Sequence, residues 1–277
     1  MFVSDLHGEK IRYNALFKFI KKEKPDGVFI GGDLLPGGFG VNTDLDRFLE
    51  DFFISKISTI KKLGLKTRFF VILGNDDPRI YEDTLKEAEK QNLLDYVNCH
   101  TVSFEDLFVT GYSYVPPTPF RLKDWEKYDV SQYVDVGAVS PEEGVRTVDI
   151  SKDEIRYGTI EKDIKNLVKN SPVERTIFLF HSPPYKSNLD RAPLDNKTVD
   201  HAPIDVHVGS IAIQRFIKNK QPLLTLHGHV HESTRLTGYW KEKTGKTYSF
   251  NAAHDKPELA LIRFKTDDLE NATRVLV

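Results

Sequence analysis

The chain is 277 residues long, with 39% hydrophobic and 29% charged residues, which is typical of an ordinary folded protein. Its 39 Lys and Arg nearly balance its 41 Asp and Glu, and the net charge of −2 excludes a general basic field for nucleic acid or anionic membranes. Cys99, the single cysteine, cannot form an intramolecular disulfide, and no apolar run approaches the roughly 20 residues of a membrane span. We therefore expect a cytoplasmic protein without a membrane or nucleic-acid partner.

Strands and helices alternate in the first third of the chain. Residues 1–4 and 28–30 read as short strands, and residues 67–73 read as a strand buried on both faces. Between them, Ile11, Leu16 and Ile20 mark one helix, and a 3.6-residue period over 43–64, with Thr43 as its cap, marks another. This alternation predicts a sheet of parallel strands covered by helices.

The rest of the chain reads as further strands and helices around one irregular segment. Residues 116–157 are rich in proline, charge and aromatic residues without a clear period, and we interpret them as an insertion in a single domain of residues 1–277. We expect two strands in 95–115, helices over 160–170 and 210–218, and strands over 176–180, 222–226, 247–253, 258–264 and 272–277.

Polar side chains follow five of these strands at the point where each strand ends. They are Asp5, His7, Asp33, Asn75, His181, His229 and His231. In an extended segment, residues two apart point to one side, so Asp5 with His7, and His229 with His231, can each face one point. Carboxylates and imidazoles without thiolate suit divalent Mn, Fe, Zn or Ni. Seven ligands exceed one tetrahedral site and fit two ions that share a carboxylate.

Five ordered blocks carry a family resemblance. They are Asp5-Leu6-His7, Gly32-Asp33, Gly74-Asn75-Asp76-Asp77, His181 and Gly228-His229-Val230-His231. In this order they resemble the motifs of the calcineurin-like metallophosphoesterase superfamily. The residues around the last block are similar to those of a branch of small stand-alone prokaryotic members. The resemblance implies an α/β fold, a four-layer α-β-β-α sandwich of two mixed sheets flanked by helices, in which the C-terminal β segments build the second sheet.

The resemblance also implies a division of the ligands between two divalent ions. Asp5, His7 and His231 would hold one ion, Asn75, His181 and His229 the other, and Asp33 would bridge them. A hydroxide between the ions would hydrolyse a small phosphomonoester or phosphodiester. A non-catalytic metal-binding scaffold on the same fold is the alternative.

One position departs from the family pattern. Where the family usually has a histidine that contacts the phosphate, this chain has Asp76. Asp76 turns away and pairs with a cation, or it is protonated and serves as an acid, or another residue replaces the imidazole. Candidates for that last role are His201 and His207 on the long polar loop after His181, with His100 and His254 behind them.

Several neighbouring residues have two readings. We expect Asp77 to orient a ligand histidine, and His227 to lie behind the ligands rather than among them. The aromatic residues of the inserted segment and its approach either pack onto the core or form a wall for the substrate; they are Tyr112, Tyr114, Phe120, Trp125, Tyr128 and Tyr133. Polar residues after His181 either contact substrate or are ordinary loop charges; they are Tyr185, Lys186, Arg191 and Lys197.

Overall fold

A computed structural model describes residues 1–37, 45–169 and 171–277. Thr43, the expected cap of the second helix, and the last residue of the helix expected over 160–170 lie outside the described residues.

The first sheet has six strands in the order β14-β13-β1-β2-β3-β4. β1, β2, β3 and β4 are parallel neighbours, β13 pairs antiparallel with β1, and β14 pairs antiparallel with β13 at the edge. The bounds are β1 Phe2–Val3, β2 Gly27–Gly31, β3 Arg68–Ile72, β4 Asp95–Tyr96, β13 Ala260–Lys265 and β14 Asp268–Leu276.

The second sheet also has six strands, in the order β11-β12-β10-β7-β6-β5. β6, β7, β10 and β12 are parallel, and β5 and β11 are antiparallel at its two edges. The bounds are β5 Thr101–Phe104, β6 Leu107–Tyr112, β7 Thr176–Phe180, β10 Leu224–His227, β11 Lys241–Thr244 and β12 Thr247–Asn251. A separate small hairpin joins β8, Thr198–Val199, to β9, Ala202–Pro203.

Seven helical segments, besides two short 3-10 turns, accompany the sheets among the described residues. The second, α2, spans residues 45–62 and contains a π-helical stretch, Phe48–Ile54, between two α-helical parts, Leu45–Arg47 and Ser55–Lys62. The others are α1 Lys10–Glu23, α3 Glu82–Lys90, α4 Lys152–Tyr157, α5 Ile160–Leu167, α6 Ile211–Lys220 and α7 Ser233–Thr237. No helix among the described residues is long and apolar enough to cross a membrane.

Alternation along the strands separates the layers. Phe29 and Phe70 stack at 5.0 Å and share one buried cluster with Leu179 and Leu226 of the second sheet, so this cluster lies between the sheets. Neighbouring residues face the helices: Phe69 stacks on a ring of α1, and Phe178 contacts Phe216 of α6 at 4.8 Å. Strands buried on both faces explain the nearly continuous apolar runs in the sequence. The expected two mixed sheets flanked by helices are confirmed.

Three details of the expected topology were wrong. The last two strands do not join the second sheet, because β13 pairs with β1 of the first sheet through Phe2 and Ile262. Of the four strands that end the chain, only β11 and β12 belong to the second sheet. Residues 95–115 hold three strands rather than two. Helix α1 leaves Ile11 76% exposed and buries Arg12.

Residues 116–157 contain one short helix, α4, and isolated β-bridges. They dock beside β3 through Trp125, which is fully buried and donates its indole N–H to the carbonyl of Asp77 at 2.9 Å. Tyr112, Tyr114 and Tyr128 are buried too. Phe120 and Tyr133 are exposed. The packing interpretation of these aromatic residues therefore holds for the four buried ones.

Candidate metal centre

The loops after β1 and β2 are joined by backbone hydrogen bonds. The N–H groups of Asp5 and His7 donate to the carbonyls of Gly32 and Asp33 at 3.0 and 2.8 Å. These bonds keep the two loops side by side beyond the parallel pairing of the strands, which ends at Val3 and Ile30. It fixes three predicted ligands side by side at the carboxyl edge of the first sheet.

The second sheet brings its histidines to the same edge. Gly228, directly after β10, donates its N–H to the carbonyl of His181, directly after β7, at 3.0 Å. The backbone N–H of His229 then donates to both carboxylate oxygens of Asp5, at 3.0 and 3.2 Å. The edge of one sheet is thereby tied to the edge of the other at the predicted ligands.

The ligands converge by turns of the backbone and not by extended alternation. Asp5, His7, Asp33 and His229 have φ angles of 57°, 46°, 51° and 70°, in the left-handed region. Such conformations cost about 1–3 kcal/mol each for residues other than glycine, and they cluster at functional sites. The extended geometry expected for Asp-x-His and His-x-His was wrong, although the residues themselves do converge.

Four of the ligands form one tight group. Asp5, His7, Asp33 and His231 each offer a ligand atom, and these atoms all lie within 4.8 Å of one another. Nε2 of His231 lies 3.1 Å from Oδ1 of Asp5 and 3.1 Å from Nε2 of His7. Two carboxylates and two imidazoles at these distances form a donor set that suits a divalent cation.

A second group surrounds His181, which is fully buried. Its Nδ1 donates to the carbonyl of Gly31 at 2.8 Å, so the lone pair of the neutral ring is on Nε2. That atom faces Oδ1 of Asn75 at 3.0 Å and Oδ2 of Asp33 at 3.4 Å. Three acceptors facing one another need a proton or a cation between them. An imidazole that donates its other nitrogen to a carbonyl is also the usual arrangement of a metal-binding histidine. The residues therefore fit a second cation. His229 lies beside this group, with its ring centroid 5.2 Å from that of His181.

Two glycines allow the close approach of these loops. A Cβ at Gly74 would lie 2.2 Å from Oδ1 of Asp33, and one at Gly228 would lie 2.4 Å from Oδ2 of Asp5. Any other residue would displace the carboxylates, so the glycines that precede Asn75 and His229 are required by the ligand geometry.

The charges of the two sheets shift one another's pKa values. Burial alone would raise the pKa of Asp33, but the imidazoles of His181 and His7 outweigh burial and lower it. Burial alone would lower the pKa values of His181 and His231, yet Asp33 raises that of His181 to about 10 and Asp5 raises that of His231 to about 9. For His229, burial and the neighbouring His181 lower the pKa to about 3. Without a cation, the site holds protons where a metal would otherwise supply positive charge.

Asp76 lies at the rim of this site. Its N–H donates to Oδ1 of Asp33 and its Oδ1 accepts the amide N–H of Asn75, both at 2.9 Å. This second contact turns Oδ1 of Asn75 toward His181. The charge of Asp33, and then burial, raise the pKa of Asp76 to about 7. Among the described residues, the Asp76 carboxylate accepts from the amide of Asn75 through Oδ1 and lies 3.9 Å from Nδ1 of His7 through Oδ2, and it pairs with no lysine or arginine.

Two residues near the ligands differ from or add to the sequence interpretation. The buried carboxylate of Asp77, expected to orient a ligand histidine, instead accepts the backbone N–H groups of Leu34, Leu35 and Gly74 at 3.0, 2.8 and 2.9 Å. Arg12, which sequence reasoning missed, donates to the carbonyl of Asp5 at 2.6 Å and to three carbonyls of the loop before β13. The signal available in the sequence was that Arg12 lies on the apolar side of an amphipathic helix.

The remaining histidine candidates lie apart from the two groups. His227 is buried in the second sheet, where Nδ1 donates to the carbonyl of Ser182 and Nε2 accepts from Thr225, so it is not a ligand in this arrangement. His201 is exposed at the turn of the β8–β9 hairpin. His207 is bound to the buried Asp190. His100 is exposed, and the carbonyl of His254 accepts from Arg12. Of the loop residues considered for substrate, Tyr185 donates to Asp205 and Arg191 pairs with Asp195.

Two mixed sheets with helices outside carry, at their shared edge, a cluster of carboxylates and imidazoles that could hold a metal ion. The sequence model of the calcineurin-like phosphoesterases matches residues 1–233, and the chain belongs to that family. A crystal structure of TT1561 from Thermus thermophilus is similar in fold, with a TM-score of 0.57 and 17% identity over 99% of this chain and 96% of that one. A second crystal structure has a TM-score of 0.58 and 17% identity over 100% of this chain and 96% of that one. No curated protein sequence matches the chain significantly.

Proposed function

We propose that the chain hydrolyses a small phosphomonoester or phosphodiester with two divalent cations from the set Mn, Fe, Zn and Ni. One cation is held by the group around His231 and the other by the group around His181, with Asp33 shared. The ligands in this assignment are Asp5, His7, Asp33, Asn75, His181, His229 and His231.

The position of Asp33 carries this proposal. Its Oδ2 lies 3.8 Å from Nε2 of His7 and 3.4 Å from Nε2 of His181, so a single carboxylate oxygen stands between an imidazole of each group. The side chain is almost fully buried, and it also accepts the N–H of Asp76. A rigid shared carboxylate is what a two-metal site requires, since such ions lie about 3.5–4 Å apart.

When bound, the cations would polarise the phosphoryl oxygens and activate a water at neutral pH. The chain itself supplies the rigid ligands and keeps the Asn75 amide oriented through Asp76. Asp76, His201 and His207 are the candidates for moving the proton that hydrolysis releases or consumes. We also propose a single domain with an insertion at about 116–157, in a cytoplasmic protein.

A metal-binding scaffold without activity is the competing proposal. The left-handed backbone at four ligands and the buried polar cluster both cost stability, which a scaffold has no need to keep. Asp76 in the family's histidine position is the feature that favours the scaffold.

A metal-supplemented assay on p-nitrophenyl phosphate and bis(p-nitrophenyl) phosphate separates the two proposals. We expect turnover with added Mn²⁺, and loss of turnover in Asp33→Asn and His229→Ala. Turnover that survives both substitutions would refute the ligand assignment. A protein that binds the metal but turns over neither ester would support the scaffold.

A further inference from the structure

A buried arginine lies directly behind one of the two metal groups. Arg12 is in the first turn of helix α1, a few residues after Asp5 and His7, and it is only 9% exposed. Among the described residues its guanidinium forms no ion pair with a carboxylate, and all its hydrogen bonds go to backbone carbonyls. A charged group is costly to bury unless its donors are satisfied, so these carbonyls determine where the guanidinium lies.

One of these bonds reaches a proposed metal ligand. Nη1 of Arg12 donates to the carbonyl of Asp5 at 2.6 Å. Asp5 has a φ of 57° and lies beyond the parallel pairing of β1 with β2, and no backbone N–H among the described residues donates to its carbonyl. A buried carbonyl without a donor destabilises the fold. Arg12 therefore stabilises the left-handed turn at Asp5 itself.

The turn at Asp5 sets the direction of its carboxylate. The N–H of Asp5 donates to the carbonyl of Gly32 at 3.0 Å, and its carboxylate accepts the N–H of His229 at 3.0 and 3.2 Å. With the carbonyl bound to Arg12, each polar group of Asp5 has a partner. The carboxylate belongs to the group of Asp5, His7, Asp33 and His231, which we call the first metal group. Among the described residues, Arg12 has no hydrogen bond to the group around His181.

The other side of the guanidinium is held by the loop between β12 and β13. Nε donates to the carbonyl of Pro257 at 3.3 Å, and Nη2 donates to the carbonyl of Lys256 and, at 3.5 Å, to that of His254. A planar fork with three acceptors on one loop has a fixed orientation. The loop lies outside residues 1–233, which the sequence model of the family matches. The support of Asp5 thus involves a part of the chain that this model does not include.

We propose that Arg12 is a positioning residue of the first metal group. The carbonyls of residues 254–257 hold its guanidinium, the guanidinium fixes the turn at Asp5, and Asp5 thereby presents its carboxylate to one cation. This inference rests on the proposed function with two cations. Arg12 and the loop should therefore determine the affinity for the cation of the first metal group and leave the affinity for the other cation almost unchanged.

Titration of the metal-free protein with Mn²⁺ tests this role without relying on activity. Wild type should bind two ions per chain. Arg12→Met removes every donor from a side chain of similar length, and the affinity for one ion should fall by about 10–100-fold, as for other residues that support a metal ligand. The affinity for the second ion should stay within severalfold of wild type. Arg12→Lys keeps a charged donor without the planar fork and should lose less. If Arg12→Met does not fold, Arg12→Lys provides the same comparison.

Asp5→Asn identifies the ion that Arg12 affects. Asp5→Asn removes a carboxylate of the first metal group and should leave one tightly bound Mn²⁺. Adding Arg12→Met to Asp5→Asn should then leave the affinity for the remaining ion unchanged, because Arg12 acts through Asp5. A further loss in the double variant would show that Arg12 supports the whole site, and that result would overturn its assignment to Asp5.

Pro257→Gly tests the contribution of the loop. Glycine frees the backbone that proline restrains, so the carbonyls around the guanidinium are held less firmly. The same ion should bind severalfold more weakly in Pro257→Gly. In the Arg12→Met background the substitution should add nothing, since the loop acts through the guanidinium. Additive losses would refute this role of the loop.

Arg146→Met is the matched control, because Arg146 is a partly buried arginine that donates to the carbonyl of Pro141 in the inserted segment. It should bind both ions as wild type does. Wild-type affinity for both ions in Arg12→Met would overturn only this inference. Equal weakening of both ions, which a merely structural role predicts, would overturn it too. If wild type binds fewer than two ions, the proposed two-metal function itself fails.

Discussion

The two sheets bring different chemistry to the edge they share. Of the proposed ligands, the first sheet carries those that offer oxygen, Asp5, Asp33 and Asn75, together with His7, whereas the second carries only imidazoles. Three of the four left-handed ligand residues belong to the first sheet. Strain and negative charge are thus concentrated on one side of the site, and basic groups on the other.

This difference makes each edge depend on the other. Burial raises the pKa of a carboxyl group and lowers that of an imidazole, so neither edge would be charged if it were buried alone. Because Asp33 and His181 face each other, the pKa of Asp33 is lowered and that of His181 is raised to about 10, in spite of burial. At His229, burial and the neighbouring His181 outweigh the carboxylates, and its pKa is lowered to about 3. Cations between the sheets would replace the protons that now balance the carboxylates.

Removing the shared charge should break this relation most completely. Asp33→Asn keeps an oxygen for the N–H of Asp76 but removes the carboxylate that lies between the two imidazole groups. Mutating a residue that only hydrogen-bonds to a metal ligand typically lowers metal affinity or activity about 10–100-fold. The loss of a ligand shared by two ions should therefore lower kcat/KM by more than a hundredfold. Steady-state kinetics on p-nitrophenyl phosphate and measured metal content per chain provide the check.

Asp268→Asn is the control for Asp33→Asn, since Asp268 is an exposed carboxylate at the start of β14. It should keep full metal content and activity. An Asp33→Asn protein that binds two ions and turns over the ester within severalfold of wild type would show that the sheets do not share a ligand.

Metal affinity should rise with pH, because the cation competes with protons for the imidazoles. In the metal-free protein the pKa values of His181 and His231 are about 10 and about 9, so both rings are charged at pH 7. Binding must release up to two protons, which makes affinity rise by as much as about a hundredfold per pH unit below pH 9. Chelator competition between pH 6.5 and 8.5 measures this slope, and a flat profile would contradict the proton-filled site.

The same two pKa values contribute a pH dependence to the stability of the metal-free protein. Both pKa values lie above the value of 6.5 for an unperturbed histidine. Their stabilisation is therefore fully present below pH 6.5 and lost as pH rises through 9 to 10. Urea unfolding with EDTA present should show this loss, and metal-saturated protein should not.

Metal removal should loosen the contact between the sheets. A ligand that binds only the folded state stabilises it by about 2.7 kcal/mol at one hundred times its Kd. Thermal unfolding with and without Mn²⁺ should show this increment, and Asp33→Asn should show less of it. Equal melting temperatures for wild type under both conditions would mean that the metal does not connect the sheets.

The ligand edge was predictable from sequence because parallel strands place their carboxyl ends together. Polar residues following apolar strands at Asp5, Asp33 and His181 were sufficient to locate it. The path by which the side chains reach it was not predictable, because left-handed φ angles at Asp5 and His229 are not encoded in any alternation pattern. The predicted residues do lie together, but the extended local geometry expected for them was wrong.

Long-range partners were the other limit. A β-pattern over 258–264 predicts a strand without naming its neighbour, and only the register of Phe2 with Ile262 shows that β13 completes the first sheet. The sequence likewise placed Asp77 next to the proposed ligands, but nothing in it indicated that three N–H groups from two loops would donate to its carboxylate. Contacts that join distant segments leave little trace in a single sequence.

Asp77→Asn should have the smallest effect of these changes, because the Asp77 carboxylate binds backbone groups of the first sheet's loops and is not itself a proposed ligand. Burial, and then Asp33, raise its pKa to about 7, and its carboxylate accepts three backbone N–H groups from the loops that carry Asp33 and Asn75. Asp77→Asn turns an amide N–H₂ toward those donors and should cost about 1–3 kcal/mol of unfolding free energy. Urea unfolding measures this loss. Activity should fall with it, because the same loops set the position of Asp33. Full stability in Asp77→Asn would mean that the backbone turns at the edge of the first sheet do not need the Asp77 carboxylate. The two edges would then differ less in how their loops are stabilised than the contacts indicate.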